Sequence, residues 1–243
     1  MTRYAMVTDL RKCVACQACT ASCNAEWEVP PGFARTQIKK TPLKGTFPNL
    51  SAGILVAQCA HCDDSPCVPV CPSAATYKDA KGIVQVNREL CIGCGYCVEA
   101  CPYEARFINP LLKKVDKCDF CSPRLERGQQ PACVTTCPAN AKFFGDLDDR
   151  NSDVFRMVFS EGAQRRETRD VAVGPNVYYL GKTEQFELVQ ASFPPHPPRL
   201  PVAGTLWEKV AKPLVLGAVG LTFLGQAVAF FHQLRHGEQD HED

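Results

Sequence analysis

The stretch Cys91–Pro102, which reads CIGCGYCVEACP, decides the fold of this chain. Its spacing, C-x2-C-x2-C-x3-C-P, is one with which thiolates bind iron–sulfur clusters. Three further sets of four cysteines bring the total to sixteen in 243 residues. The four sets are Cys13, Cys16, Cys19, Cys23; Cys59, Cys62, Cys67, Cys71; Cys91, Cys94, Cys97, Cys101; and Cys118, Cys121, Cys133, Cys137. Sixteen thiolates are the ligand count of four [4Fe–4S] clusters, which we therefore predict.

Disulfide bonding is the first alternative use of so many cysteines. It is typical of small secreted domains that cannot build a core. This chain is long, and 45% of its residues are hydrophobic, so it can bury a core without covalent links. Three cysteines within seven residues, as in Cys13–Cys19, are also poor disulfide partners for one another.

Zinc is the second alternative, because the fourth set taken alone has the two-pair spacing of a zinc site. The three-residue steps in the first and third sets instead favour a loop wrapped around one cluster. In three sets a proline follows the fourth cysteine, as in the bacterial run. The first set departs from this pattern with Asn24, and the second widens its middle gap between Cys62 and Cys67.

Charge and motifs exclude several function classes. The net charge of +1 gives no basic surface for nucleic acid. We find no catalytic triad, phosphate-binding loop or dinucleotide motif, so the sequence predicts no catalytic residues and a protein that is not itself an enzyme. We expect a solvated face at the basic residues, with compensation of cluster charge or docking of a partner as the alternative. These residues are Lys113, Lys114, Lys117, Arg124 and Arg127. His61 is expected to face solvent from its loop, with tuning or replacement of a cluster ligand as the alternative.

Short strands and helices are expected around the cysteine loops. Strand patterns occur at Tyr4–Asp9, Gly53–Ala57, Ile83–Val86 and Asn176–Leu180. Helix patterns occur at Ala18–Trp27 and Ser152–Ser160. The polar segment Arg35–Phe47 is predicted to be a surface insertion. The alternation of these elements with cysteine loops predicts an α+β fold.

The C-terminal part has a different composition. Phe193–Pro201 contains five prolines, which predicts an extended spacer. Leu214–Phe231 has eighteen residues without a charge, close to the length that spans a bilayer. Pro213 suits a first helical turn and Trp207 an interfacial position. A buried helix of the soluble domain is the alternative.

From Arg3 to Leu180 the chain resembles the four-cluster electron-transfer subunits of membrane-bound molybdopterin oxidoreductases. The resemblance rests on the four cysteine sets in this order, on the strand before Cys13, on GDLDDRNSDV after the last set and on NVYYL. Relatives of this type serve dimethyl sulfoxide, polysulfide and tetrathionate reductases and formate dehydrogenase. The C-terminal span is similar to that of the formate dehydrogenase beta subunit.

The resemblance implies a non-catalytic subunit that relays electrons between two partners. One is a large molybdopterin catalytic subunit, the other an integral membrane subunit that reacts with quinone, and the lipid bilayer would hold the C-terminal helix. An electron-transfer subunit of a membrane-bound hydrogenase, or of another quinone-linked complex, is the alternative. A catalytic reductase with built-in ferredoxin modules would need a substrate domain, for which the residues after Cys137 are too few.

The expected architecture is two paired bacterial-ferredoxin-like modules followed by one transmembrane helix. The expected segments are a four-cluster domain (1–145), an extension packed on it (146–192), a Pro-rich linker (193–212), the transmembrane helix (213–232) and a charged tail (233–243). In two-cluster ferredoxins the fourth cysteine of each run binds the other cluster. Sets two and three are close in sequence and should pair, and the resemblance implies that the outer sets pair. The expected ligand groups are Cys13, Cys16, Cys19 with Cys137; Cys118, Cys121, Cys133 with Cys23; Cys59, Cys62, Cys67 with Cys101; and Cys91, Cys94, Cys97 with Cys71.

Two observations favour opposite sides of the membrane for the cluster domain. Three basic residues precede the span (Arg199, Lys209 and Lys212) and one follows it, which favours a cytoplasmic domain. The resemblance implies the periplasmic face of the inner membrane, and Met1–Cys13 has no apolar signal region, so export would be of the folded chain with a signal-bearing partner. We expect the periplasmic side.

Overall fold

The computed structural model describes residues 2–167 and 172–196, and in the C-terminal part residues 214, 217, 218, 220, 222, 223, 225–228, 230 and 231. The chain divides into two compact units, Met1–Arg199 and Leu200–Asp243. The elements of the first unit are β1 (Tyr4–Asp9), α1 (Ala18–Glu26), β2 (Thr36–Lys40), β3 (Lys44–Thr46), β4 (Asn49–Ser51), β5 (Ile54–Gln58), β6 (Thr76–Lys78), β7 (Val84–Val86), α2 (Tyr96–Glu99), β8 (Arg106–Asn109), β9 (Lys114–Lys117), α3 (Ser122–Glu126), α4 (Ala132–Thr135), β10 (Lys142–Asp146), α5 (Asp153–Phe159), β11 (Gln164–Arg165), β12 (Val177–Leu180) and α6 (Thr183–Ser192). Short helices mixed with short strands confirm the α+β class.

A four-stranded sheet joins the two ends of the cysteine-rich region. Its strand order is β10-β1-β12-β11, with β1 antiparallel to β10 and parallel to β12. Thr8 near the end of β1 pairs with Lys142 at the start of β10. Because Cys13 follows β1 and Cys137 precedes β10, this register brings the first and last cysteine sets together.

Two β-hairpins connect the inner sets. The β6–β7 hairpin runs from the second set to the third, and the β8–β9 hairpin runs from the third to the fourth. In β6–β7, Asp79 forms the turn, and its carboxylate accepts hydrogen bonds from the backbone N–H groups of Lys81 and Ile83. The hairpins are short, so successive sets lie close in space.

All six elements expected from the sequence are present in the first unit. Their bounds agree to within one or two residues, and β1 has the expected bounds. Ser152 caps α5, since its Oγ accepts from the N–H of Phe155 at 3.0 Å. Helix α6 was not predicted, and its residue Val189 is buried against Gly53.

The expectation of a surface insertion at Arg35–Phe47 is wrong for its first half. Strand β2 pairs antiparallel with β5, from Thr36 opposite Gln58 to Lys40 opposite Ile54. Arg35 and Thr36 are buried, because the partner strand β5 belongs to the core. Only the β3–β4 hairpin that follows is exposed along its length.

The hydrophobic core contains the cysteines themselves. One core cluster combines the side chains of Met6, Leu55 and Phe120 with those of five cysteines. These cysteines are Cys19, Cys59, Cys62, Cys118 and Cys133. Groups bound to them would lie within the core, which explains how short elements can form a stable unit.

The described residues of the second unit, from Leu214 to Phe231, are helical, and their side chains are exposed. The Thr222 hydroxyl donates to the Ala218 carbonyl at 3.0 Å. Among the residues that the structure describes, no helix is both long and apolar enough to cross a bilayer. The predicted span (213–232) and linker (193–212) fall partly outside the described residues, and the predicted tail (233–243) falls wholly outside them.

Candidate metal centre

The four cysteine loops share one backbone turn. In each set, the second residue after the first cysteine has a positive φ, although only one of the four is glycine. The residues are Ala15 (54°), His61 (46°), Gly93 (71°) and Phe120 (53°). Left-handed non-glycine residues are strained, and such strain clusters at ligand-holding loops. The sequence repeat is therefore also a structural repeat.

Gly93 shows why glycine is required in the third loop. A Cβ at this position would lie 2.2 Å from the carbonyl oxygen of Lys113. The loop of the third set therefore packs directly on the turn of the β8–β9 hairpin.

The cysteines that precede proline share a second turn. The carbonyl of each accepts a hydrogen bond from the N–H three residues on, and that third residue has a positive φ. The pairs are Cys71 with Ala74 (3.2 Å), Cys101 with Glu104 (3.2 Å) and Cys137 with Asn140 (3.1 Å). Proline suits the second position of such a turn because its φ is fixed. Cys23, which lacks the proline, lies inside α1 instead.

Cys137 lies beside the first set rather than its own. Cys13, Cys16, Cys19 and Cys137 line one pocket together, with Ile38 and Val56 among its apolar walls. The first ligand group expected from the sequence consists of these same four cysteines, and their binding of one cluster stays a prediction. The β1–β10 register described above is what brings them together.

Cys101 lies within electrostatic range of the second set. Burial raises the pKa of Cys62, and the charges of Cys59 and Cys101 raise it further. Burial also raises the pKa of Cys67 to about 11, with Arg106 opposing and Cys59 and Cys101 adding to the rise. This proximity is compatible with the second expected group, which stays a prediction.

Cys23 faces the fourth set from helix α1. Burial raises its pKa to about 12, and the neighbouring charges of Cys133 and Cys121 contribute. Burial likewise raises the pKa of Cys118, with Cys23 as the next contribution. Metal binding to such thiols would release their protons.

The link of Cys71 to the third set is indirect. The Asn87 N–H donates to the carbonyl of Ala75, four residues after Cys71, at 2.7 Å. The N–H of Cys91 donates in turn to the Asn87 carbonyl at 3.1 Å. These bonds place the two loops side by side, and the ligand group of Cys71 with Cys91, Cys94 and Cys97 stays a prediction.

The donor chemistry fits iron–sulfur clusters. All sixteen cysteines are free thiols, and thiolate is the ligand that such clusters take. Within the described ranges, no three His, Cys, Asp or Glu side chains converge closely enough to hold a single metal ion. In a cubane each cysteine binds a different iron, so its thiolates are spaced more widely than around one ion.

Nitrogen donors also reach the sulfurs. The Ala141 N–H lies 3.3 Å from Cys137 Sγ, and the Thr76 N–H lies 3.5 Å from Cys71 Sγ. The Nε1–H of Trp27 donates to Cys121 Sγ at 3.4 Å. Hydrogen bonds to sulfur are among the means by which a protein sets cluster potentials. Trp27 was not singled out from the sequence, and its position just after the first set was the available signal.

Arg35 holds Trp27 in place. Its guanidinium lies over the indole ring at 4.7 Å. It also pairs with Asp116 at 2.7 Å and with Asp119 at 3.4 Å, on either side of Cys118. Through its contacts with Trp27 and Asp116, Arg35 connects the segment just after the first set to the strand just before the fourth set.

The expectation that His61 faces solvent is wrong. The imidazole is fully buried and stacks on the ring of Phe120, with centroids 3.7 Å apart. The N–H of Val84 donates to His61 Nδ1 at 3.0 Å. Burial holds the pKa of His61 well below its usual value, and the charges of Lys117 and Arg106 add to this, so the ring is neutral. The signal available in the sequence was that His61 and Phe120 occupy equivalent positions in their sets.

The expectation of a solvated basic face is wrong for Lys117. This side chain is buried, and its ammonium donates to the carbonyls of Val84 and Cys118. Arg124 pairs with Glu26 at 2.9 Å. Lys117 belongs instead to the interior, between strand β7 and the start of the fourth set.

Comparison with known proteins places these loops in a family. Residues 51–147 match the 4Fe-4S dicluster domain. Over 190 residues the sequence is 43% identical to a tetrathionate reductase subunit from Salmonella typhimurium, and the match covers 76% of this chain and 74% of that protein. This protein belongs to the ferredoxin-type iron–sulfur subunits of reductases. The finding confirms the resemblance drawn from the cysteine sets.

Two further relatives match over most of their own length. The electron transfer subunit of thiosulfate reductase from Salmonella typhi is 43% identical over 70% of this chain and 90% of its own. A polysulfide reductase chain from Wolinella succinogenes is 42% identical over 67% of this chain and 86% of its own. The matches are thus to whole subunits more than to a short motif.

Proposed function

We propose that this subunit relays single electrons through four [4Fe–4S] clusters between a molybdopterin catalytic subunit and a quinone-reactive membrane subunit. The observation that carries the proposal is the repeated left-handed turn in four loops that together bear sixteen free cysteines. The relative in Salmonella typhi is itself named an electron transfer subunit, which supports a non-catalytic role.

The chain's own residues would ligate and tune the clusters. The ligands would be the four groups named above, each combining three cysteines of one set with the fourth of another. Bound clusters would supply one-electron iron couples, and the surrounding sulfur hydrogen bonds, charges and exposure would set their potentials.

Solvent exposure supports an order along the relay. The second cysteine of the set is exposed in the first and third sets (Cys16 and Cys94). The equivalent cysteine is buried in the second and fourth sets (Cys62 and Cys121). Exposed apolar side chains lie next to the exposed thiols, with Val14 beside Cys16 and Ile92 beside Cys94. We propose that the sites of Cys16 and Cys94 are the two ends of the relay, where partners dock.

The test of the function is a redox titration of the purified full-length chain. We expect about sixteen iron atoms per chain, four reversible one-electron couples and no turnover without a partner. The titration is followed by electron paramagnetic resonance, and iron is determined chemically. An iron content near half of this in fully loaded protein would disprove the four-cluster proposal.

We further propose the segment organisation given above, with the span anchoring the chain in the inner membrane and the cluster domain on its periplasmic side. Supporting this, Leu214–Phe231 carries no charge, and its described residues are helical with exposed apolar side chains such as Phe223.

Removal of the residues after Pro201 is expected to release a soluble, brown protein that keeps its iron. The reason is that the sixteen cysteines and the elements that pack around them all precede this point. The measurement is fractionation of cells that express the chain without partners, with the full-length chain as the control. Retention of the truncated chain in the membrane fraction would contradict the anchor. The membrane side is tested in cells that also make the partner subunits, because export is expected to need a signal-bearing partner. A membrane-impermeant protease should cut the full-length chain in intact spheroplasts of these cells, and protection there would contradict the periplasmic side.

A further inference from the structure

Arg106 is a buried cation that donates a hydrogen bond to the sulfur of Cys67, one of the expected cluster ligands. It begins β8, five residues after Cys101, and is 4% exposed. One terminal nitrogen donates to Cys67 Sγ at 2.9 Å, and the other donates to the Thr76 hydroxyl at 3.3 Å. Thr76 therefore orients the guanidinium toward the sulfur.

Arg106 has sulfur rather than carboxylate as its counter-charge. Within the described part of the chain, no carboxylate forms an ion pair with it, whereas the buried Arg35 has two. An arginine side chain stays protonated in proteins, so the buried guanidinium carries its positive charge. A buried cation costs several kcal/mol unless an anion compensates it. A cluster bound by the second cysteine set would supply that anion beside Cys67.

We propose that Arg106 raises the reduction potential of the cluster held by Cys59, Cys62, Cys67 and Cys101, an inference that rests on the proposed function. Reduction adds one negative charge to the cluster. A fixed positive charge at hydrogen-bond distance from a ligand sulfur, inside a low-dielectric core, stabilises the reduced state more than the oxidised state. Arg106 would thus act on the cluster through Cys67, by placing a positive charge beside its sulfur, and it undergoes no redox change itself.

The other donors to sulfur are weaker. Trp27 is a neutral donor at 3.4 Å, the backbone N–H groups of Thr76 and Ala141 lie 3.5 and 3.3 Å from their sulfurs, and the neutral Ser73 hydroxyl lies 3.7 Å from Cys71 Sγ. Charge-assisted hydrogen bonds are shorter and about twice as strong as neutral ones. Among these donors, the effect on potential should therefore be largest at Arg106.

The experiment is a redox titration of the full-length chain with Arg106→Gln, Arg106→Lys and the control Arg156→Gln. Arg156 is an arginine on α5 whose side chain is 56% exposed, so its charge is screened by water. The couple of interest is identified as the one altered in a Cys67→Ser variant. We expect the reduction potential of that couple to be lower in Arg106→Gln than in the unsubstituted chain. In Arg106→Lys, which keeps the positive charge, most of the original potential should be restored. In Arg156→Gln the potential should be unchanged.

The outcomes separate this inference from the proposed function. Fewer than four couples in the unsubstituted chain would count against the function itself. Four couples that all keep their potentials in fully loaded Arg106→Gln would overturn the role of Arg106. Loss of the cluster from both Arg106 variants would also overturn it, because it would make Arg106 a structural residue only.

Discussion

The double variant Cys59→Ala/Cys101→Ala is expected to lose one cluster, and Cys59→Ala/Cys71→Ala is expected to lose two. Each variant removes two thiolates, so the pair is matched in chemistry. If fourth ligands are exchanged between sets, Cys59 and Cys101 bind the same cluster, whereas Cys59 and Cys71 bind different ones. The chemistry predicts a deficit of about four iron atoms in the first variant and about eight in the second.

The structure supports this expectation through Cys101. Its charge acts on both Cys62 and Cys67 of the second set, and its turn delivers Arg106 to Cys67 Sγ. Iron per chain after anaerobic purification is the measurement, with electron paramagnetic resonance to count the remaining clusters. The reverse pattern, with the larger deficit in Cys59→Ala/Cys101→Ala, would mean that each run of four holds its own cluster. Equal deficits in the two variants would contradict the exchange as well.

Phe120→Ala is expected to lower the free energy of unfolding by about 3–5 kcal/mol. Phe120 is 1% exposed and lies between the first and second cysteines of the fourth set. Its ring contacts His61 at 3.7 Å and Phe144 at 5.2 Å between centroids. Removal of the ring would leave a cavity between loops of two different sets, and His61 would lose the surface on which it stacks.

The matched control is Phe159→Ala at the end of α5. Phe159 is 58% exposed, so the same chemical change should cost less than about 1 kcal/mol. The measurement is loss of visible absorbance and of helical circular dichroism in guanidinium under anaerobic conditions. An equal shift of the two midpoints would show that the Phe120 ring does not support the core between the loops.

Polar residue type was a poor guide to burial around these loops. His61, Lys117 and Arg35 were expected at the surface, and all three are buried. The groups that bury them come from elsewhere in the chain. Phe120 stacks on His61, the Val84 carbonyl accepts from Lys117, and Asp116 pairs with Arg35. These partners lie 33 to 81 positions away in sequence, well outside the window that a local pattern reads.

The sequence by itself determined the thiols and their loops. Ligand spacing is a local property, since a three-residue step sets the turn whatever the rest of the chain does. The same is true of the prolines after Cys71, Cys101 and Cys137, which fix the second turn by their own φ. Strand β1 and the cap of α5 were predictable for the same reason, because alternation and side-chain capping act within a few residues.

Only the tertiary structure decided which side chains meet across the loops. Cys137 joins the pocket of Cys13 because β10 pairs with β1. Arg106 reaches Cys67 across 39 positions of sequence, and Trp27 reaches Cys121 across 94. Such contacts depend on strand register and on the packing of a shared core, which are properties of the whole folded chain. Local spacing therefore supplied the sulfur ligands, and long-range pairing supplied their neighbours and the charges that act on them.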